Sequence, residues 1–219
     1  MFHFMNTNYQ IRDIRPEDHK PCLDLMKEVF IRDEPLVQAL DVASDPVSLK
    51  TIVKNWEKYL EEKISLACYT EDDKGEPQEL VGFNILLMKN IDDPDEDLDK
   101  IEGEPWKKLL RTLIAAEQTC DVFQRYGVDR YLTSSGLTVR EQHRGQNIGA
   151  EIFKAREPLC KALGVQATAT VFTALTSQAL AAKCGYELLG ELEYTSMLDE
   201  GIDLSRCDTP TAKHMGRKF

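Results

Sequence analysis

No stretch of the 219-residue chain approaches the ~18 uninterrupted apolar residues that a membrane-crossing helix needs. The first residues, Met1 to Asn8, lack a basic segment followed by an apolar run. No secretory signal is therefore expected, and the expected location is cytoplasmic. The six cysteines (Cys22, Cys68, Cys120, Cys160, Cys184 and Cys207) form no C-x-x-C pair. Several lie in apolar runs, which fits reduced thiols better than disulfides or zinc. The four histidines show no ligand spacing, so no metal is expected. Neither Gly-x-Gly-x-x-Gly nor a Gly-Lys-Ser/Thr loop occurs, which argues against nicotinamide cofactors and nucleoside triphosphates.

Positive charge is also in short supply. The net charge of −11 argues against nucleic acid, whose phosphates need a basic surface. It is compatible with a small cationic substrate, which a negative field concentrates. Much of the charge sits in Asp92–Glu102, which lacks the central glycine and spaced ligands of a calcium loop and reads as solvated. No linker, repeat or low-complexity tract interrupts the chain, so residues 1–219 are expected to form one domain, and the protein is expected to be a monomer.

What is present is an alternation of strands and helices, an α/β pattern. Strands are expected over Tyr9–Arg15, Ile64–Thr70, Glu79–Met88, Tyr131–Val139, Val165–Thr173, Tyr186–Tyr194 and Lys213–Phe219. The spacing predicts helices from Pro16 to Phe30, from Leu36, from Pro46 with Leu49, Val53, Trp56 and Leu60 on one face, from Glu104 to Arg125, and from Ser177 to Cys184.

The most informative stretch is Leu137 to Ala150. Leu137 and Val139 alternate like strand residues, Arg144-Gly145-Gln146-Asn147 suits a turn, and Ile148, Ile152, Leu159 and Leu163 recur at helical spacing with Ala155 between them. A helix opening at such a turn aims free N–H groups and a positive dipole end outward, a backbone cradle for a diphosphate to which Arg144 adds charge.

Arg144-Gly145-Gln146-Asn147-Ile148-Gly149 resembles the Arg/Gln-x-x-Gly-x-Gly/Ala motif of the GCN5-related N-acetyltransferases, with Asn147 in place of the usual glycine. Asn tolerates left-handed backbone angles, so the turn is compatible with it. Asp33-Glu34-Pro35-Leu36, the Arg156–Thr173 stretch and Lys183-Cys-Gly185-Tyr186 are similar to the insect arylalkylamine N-acetyltransferase branch. The resemblance implies a central mixed twisted sheet of about seven strands flanked by helices, with two strands splayed to admit acetyl-CoA. It also implies that the backbone of Leu137, Thr138 and Val139 holds the pantetheine arm and that Arg144, Gly145, Gln146, Asn147, Ile148, Gly149 and Ala150 grip the pyrophosphate.

Acetyl transfer to an amine needs a base for the amine proton and a donor for the oxyanion. Glu34 is the candidate base, and the resemblance supports it. Pro35 disfavours helical angles at Glu34, which places the carboxylate at a break between helices and, with Pro35, in the substrate site. Asp33 reads as a neighbouring cap. By resemblance Thr173 and Ser177 occupy two hydroxyl positions that organise the site and relay protons, although Ser177 also suits capping of the helix that follows. Thr211 stands where insect members often carry a histidine, which leaves acceptor choice open. The expected acceptors are arylalkylamines of the dopamine, tyramine, octopamine and serotonin type. The alternatives are polyamines or agmatine, or a weakly catalytic acyl-CoA-binding member.

Overall fold

The computed structural model describes residues 1–4 and 7–219; Met5 and Asn6, part of the N-terminal stretch read for a secretion signal, lie outside it. One sheet carries the molecule. Its strands are β1 (Phe2–Phe4), β2 (Thr7–Asp13), β3 (Leu66–Glu71), β4 (Pro77–Asn90), β5 (Arg130–Val139), β6 (Ala167–Phe172), β7 (Glu187–Glu193) and β8 (Thr211–Lys218). They lie in the order β1-β2-β3-β4-β5-β6-β8-β7. Every neighbouring pair is antiparallel except β5 and β6, so the sheet is mixed, as expected. The described residues hold eight strands rather than about seven; β1, pairing Phe2 with Tyr9, is too short to show a periodicity.

Helices cover both faces. They are α1 (His19–Leu25), α2 (Ile31–Asp33), α3 (Pro35–Ala39), α4 (Pro46–Glu61), α5 (Glu104–Glu117), α6 (Val122–Tyr126), α7 (Ile148–Leu163) and α8 (Leu175–Lys183). Strand β3 shows the consequence: Ala67 and Tyr69 join the core beneath α1 to α5, while Leu66 and Cys68 join the one beneath α7. Apolar residues therefore appear at successive positions, as in any strand covered on both sides.

Three expectations change. The helix from Pro16 to Phe30 begins as a 3₁₀ turn and ends in a π-helical turn, Met26–Phe30, which passes directly into α2. On α4 the fully buried positions are Ser48, Ile52, Trp56 and Leu60, with Leu49 and Val53 partly buried at its flank. The helix from Glu104 stops at Glu117, because Thr119 Oγ1 bonds back to the Ala116 carbonyl at 2.6 Å and Asp121 opens a new helix by accepting from Gln124 N at 3.1 Å. Arg156, in the middle of α7, is fully buried although its neighbours on that face are apolar. Among the described residues no helix is long and apolar enough to cross a membrane, and no cluster of His, Cys, Asp or Glu has a metal-holding arrangement. All six cysteines are free.

Candidate active site

Strands β5 and β6 touch at a single register pair, Leu132 with Thr168, and part beyond it. The fork arises where β5 changes course. Ile85 pairs with Gly136 and Leu86 with Ser134, so Ser135 is an extra residue that bends the strand. Gly136 is required there: its φ is +148°, and a Cβ would meet Met26 Cε at 2.7 Å.

The alternation of antiparallel bonding decides which backbone groups face the gap. Arg140 N–H donates to Val81 O at 2.9 Å, so Thr138, two residues back, also bonds toward β4. Leu137 and Val139 turn their backbone groups to the gap, and Val139 O accepts from Arg144 Nε at 3.1 Å. Thr138, expected to share in holding the arm, differs for this reason; its side chain is buried against Met26, with Oγ1 3.5 Å from the sulfur.

The turn after β5 has the form read from the sequence. Gly145 and Asn147 both adopt left-handed angles, at φ +77° and +64°, and α7 begins at Ile148. No side chain caps α7, so the first-turn N–H groups of Ile148, Gly149 and Ala150 have no intrahelical acceptor and point out of the helix end. Gln146 faces away from that opening, accepting from Tyr9 OH, which also lies 3.2 Å from His143 Nδ1. Tyr9 and His143 thus buttress the turn from behind, a role with no sequence signal because Tyr9 lies on a distant strand. Arg144 donates to Asp33 Oδ2 at 2.7 Å, and Asp33 also receives Arg32 Nε at 2.6 Å. Asp33 is therefore an ion-pair bridge and not a helix cap; Arg32, then Arg144, hold its carboxyl below the ordinary range against the opposing effect of partial burial.

Glu34 occupies the break between α2 and α3 in an extended conformation, as the following proline requires. It is the N-cap of α3: Oε2 accepts from Val37 N–H at 2.6 Å. Oε1 accepts from Thr173 Oγ1 at 2.7 Å. Glu34 is half-buried and lines the cleft. Burial pushes its pKa up, and the Thr173 hydroxyl and the backbone N–H groups of Val37 and Leu36 pull it only partly back. Tyr194 and Cys207 complete the surroundings: Tyr194 OH lies 3.5 Å from Thr173 O and Cys207 Sγ the same distance from Pro35 O. Burial, with the Glu34 charge adding, pushes the Cys207 thiol up to about 11. Ser177 lines the cleft in the first turn of α8, donating to Ala174 O at 2.8 Å; Ala174, not Ser177, is the N-cap. Thr211 is buried outside the cleft lining, with Oγ1 2.6 Å from Glu191 Oε1.

Glu34, Pro35, Thr173, Ser177, Leu137, Thr138, Val139 and the turn residues Arg144, Gly145 and Asn147–Ala150, without Gln146, border one cleft of about 1870 Å³. That exceeds the roughly 300–1,000 Å³ of a single small-molecule pocket, leaving room for a long cofactor and a second reactant. Phe30 and Trp56, edge to face with centroids 5.9 Å apart, wall one side. The exposed acidic loop contributes Asp93, Asp95 and Glu96 to the rim, which its sequence, read as merely solvated, did not disclose.

No protein-family model matches the chain. Solved structures do match. A mosquito protein provisionally named arylalkylamine N-acetyltransferase 7, from Aedes aegypti, is 29% identical, covering 96% of this chain and 87% of its own, with a TM-score of 0.86. The Drosophila melanogaster polyamine N-acetyltransferase, an enzyme that forms N-acetylagmatine, is 20% identical over 97% of this chain and 100% of its own, at 0.78. A phosphinothricin acetyltransferase of the GNAT superfamily from Sinorhizobium meliloti, in complex with acetyl-CoA, is 14% identical over 96% and 88%, at 0.55.

Proposed function

We propose that this chain, whose fold and structural neighbours are those of the GCN5-related N-acetyltransferase superfamily and consistent with its arylalkylamine branch, is an acetyl-CoA-dependent N-acetyltransferase of small primary amines. The observation that carries the reading is the half-buried Glu34 carboxylate, hydrogen-bonded to Thr173, in the same cleft as the splayed strands and the open end of α7. Arylalkylamines of the dopamine, tyramine, octopamine and serotonin type are the preferred acceptors. The chain acts as one domain and one protomer, in the cytoplasm.

In this reading the pyrophosphate of acetyl-CoA lies on the N–H groups of Ile148, Gly149 and Ala150, within the turn shaped by Gly145, Gln146 and Asn147, and Arg144 exchanges Asp33 for phosphate. The pantetheine arm adds to β5 like a strand through Leu137 and Val139. Beside it the acceptor amine, which in water carries a proton with a pKa near ~10, must become neutral. Glu34 takes that proton directly or through water, and its raised pKa makes it a stronger base than a solvated carboxylate. Once Glu34 has passed that proton to solvent, the amine lone pair attacks the thioester carbonyl carbon and the carbonyl pair moves to oxygen; Glu34 takes the second proton from the adduct nitrogen, and collapse re-forms the carbonyl and expels the sulfur with its electron pair. Thr173 holds Glu34 in register, and Ser177, in the first turn of α8, lines the same cleft. Pro35 fixes the carboxylate and borders the acceptor.

An aromatic ring gains from burial against Phe30 and Trp56 at about 25 cal/mol per Å² of apolar area removed from water. The acidic rim of Asp93, Asp95 and Glu96 favours a second reading, a polyamine or agmatine acceptor whose far cation meets that charge. The intact base argues against a merely acyl-CoA-binding role. Tyramine and agmatine in competition at equal concentration decide between the acceptors: a higher kcat/KM for tyramine supports the first, and a higher value for agmatine replaces it with the second.

A further inference from the structure

Arg156 is fully buried, yet every hydrogen-bond partner of its guanidinium is an amide or a hydroxyl. Asn84 Oδ1 accepts from Nη2 at 2.7 Å and from Nε at 3.1 Å. The hydroxyls of Tyr186, Thr168 and Thr170 accept from Nη1 at 3.3 to 3.4 Å. The Phe153 ring lies 4.3 Å beneath it. Burying a cation among neutral groups is costly unless negative charge comes to it.

Its position says which charge that is. Arg156 bridges the fork: it binds Thr168 and Thr170 on β6 directly, and Asn84 Nδ2 passes the contact on to Gly136 O and Ser134 Oγ of β5, both at 2.7 Å. Arg156 also borders the cleft, packed beneath its surface with no exposed area of its own. Thr170 stands three residues before Thr173, about 10 Å along an extended strand, so the cation lies within electrostatic range of the reacting end held at Glu34.

We propose that Arg156 is a positioning residue for the departing sulfur, its charge at the fork favouring the CoA thiolate over the thiol. This rests on the acyl-transfer reading above. When the tetrahedral adduct collapses, the oxygen pair re-forms the carbonyl, the C–S bond breaks and its electron pair leaves on sulfur. The ammonium proton that Glu34 took before attack has passed to solvent, and the freed carboxylate takes the second proton from the adduct nitrogen, so the products of collapse are the amide, protonated Glu34 and a thiolate. Glu34 then passes its proton to solvent and the thiolate takes one from solvent, which closes the cycle.

The test is a pH titration of the thiol of bound CoA, followed by ultraviolet thiolate absorbance in the intact protein. A free thiol of this kind titrates near ~8.5. In the wild-type complex it should be at least about tenfold more acidic. Arg156→Gln should return it to the free value and lower kcat with little change in KM for acetyl-CoA, while Arg156→Lys retains most of the shift. An unshifted thiol in the wild-type complex overturns the proposal, as does a shift that persists in Arg156→Gln. If the glutamine variant fails to fold, the wild-type titration decides alone, a shifted thiol supporting the proposal and an unshifted one overturning it. A chain that binds no CoA overturns the acyl-transfer reading and this proposal with it. One that turns over acetyl-CoA with an unshifted thiol overturns only the role of Arg156.

Discussion

Thr173 and Glu34, 139 positions apart in sequence, meet through a 2.7 Å hydrogen bond in which the threonine hydroxyl donates to the carboxylate. The bond ties the end of β6 to the break between α2 and α3. It also favours the charged form of a carboxyl group that burial pushes toward neutrality.

Replacing Glu34 separates activity from stability. Glu34→Gln should lower kcat by about 10²–10⁴-fold, the scale of a lost general base, with little change in acetyl-CoA affinity. Residual activity should climb with pH as free amine accumulates. Because the folded pKa is raised, the carboxyl favours folding at low pH and that contribution is lost as pH rises through the folded value. At pH 7 the buried charge therefore counts against the folded state, and Glu34→Gln should melt at a higher temperature than wild type. The gap should close as the pH falls far enough to protonate Glu34. Calorimetric melting beside a pH–rate profile checks both; an unchanged profile assigns Glu34 to structure.

Thr173→Val removes the donor and should raise the Glu34 pKa further, moving the acid limb of the pH–rate profile to higher pH. Hydrogen bonds to charged groups contribute about 1.5–3 kcal/mol, so the loss at neutral pH should reach roughly 10–100-fold. Thr173→Ser should restore the wild-type profile. A valine variant with the wild-type acid limb contradicts the pairing.

Asp33 competes with the cofactor for Arg144. The pair is partly exposed, so it is worth at most about 1 kcal/mol. Asp33→Asn should tighten acetyl-CoA binding by up to about fivefold at low salt, and Arg144→Ala should weaken it. Titration calorimetry at two ionic strengths reads both; weaker binding in Asp33→Asn contradicts the competition.

Gly145→Pro forces the backbone from φ +77° toward about −65°, which the turn cannot accommodate. Acetyl-CoA binding should be lost, while Gly145→Ala, with open space for its Cβ, should lose only part of it to strain. Binding by the proline variant equal to wild type excludes the turn from the cofactor site.

The stretch from Leu137 to Leu163 was legible because its signals are local: a strand alternation, an Asn able to take φ > 0 and a helix starting where the apolar period starts. The break after Glu117 was not, since the apolar period runs on through Cys120 while a local cap at Asp121 restarts the helix. The π-helical turn that brings Phe30 to the cleft depends on packing rather than on any residue type. The spacing of four from Ile148 to Ile152 to Arg156 put a charge on a buried face, a signal readable in principle. That the charge closes the fork of β5 and β6 depends on Asn84, 72 positions away. Tyr9, Tyr194 and Cys207 are likewise brought to the site by the sheet order and by loops, which no local pattern encodes.

The central claim, that Glu34 and the forked cleft acetylate a small primary amine, is tested most directly by following thiol release from acetyl-CoA with tyramine, dopamine, serotonin and agmatine each offered as acceptor, with product mass confirmed. The account predicts amine-dependent thiol release matched one for one by an N-acetyl product, and its loss in Glu34→Gln. A folded chain that binds acetyl-CoA yet releases no thiol with any of these amines contradicts it.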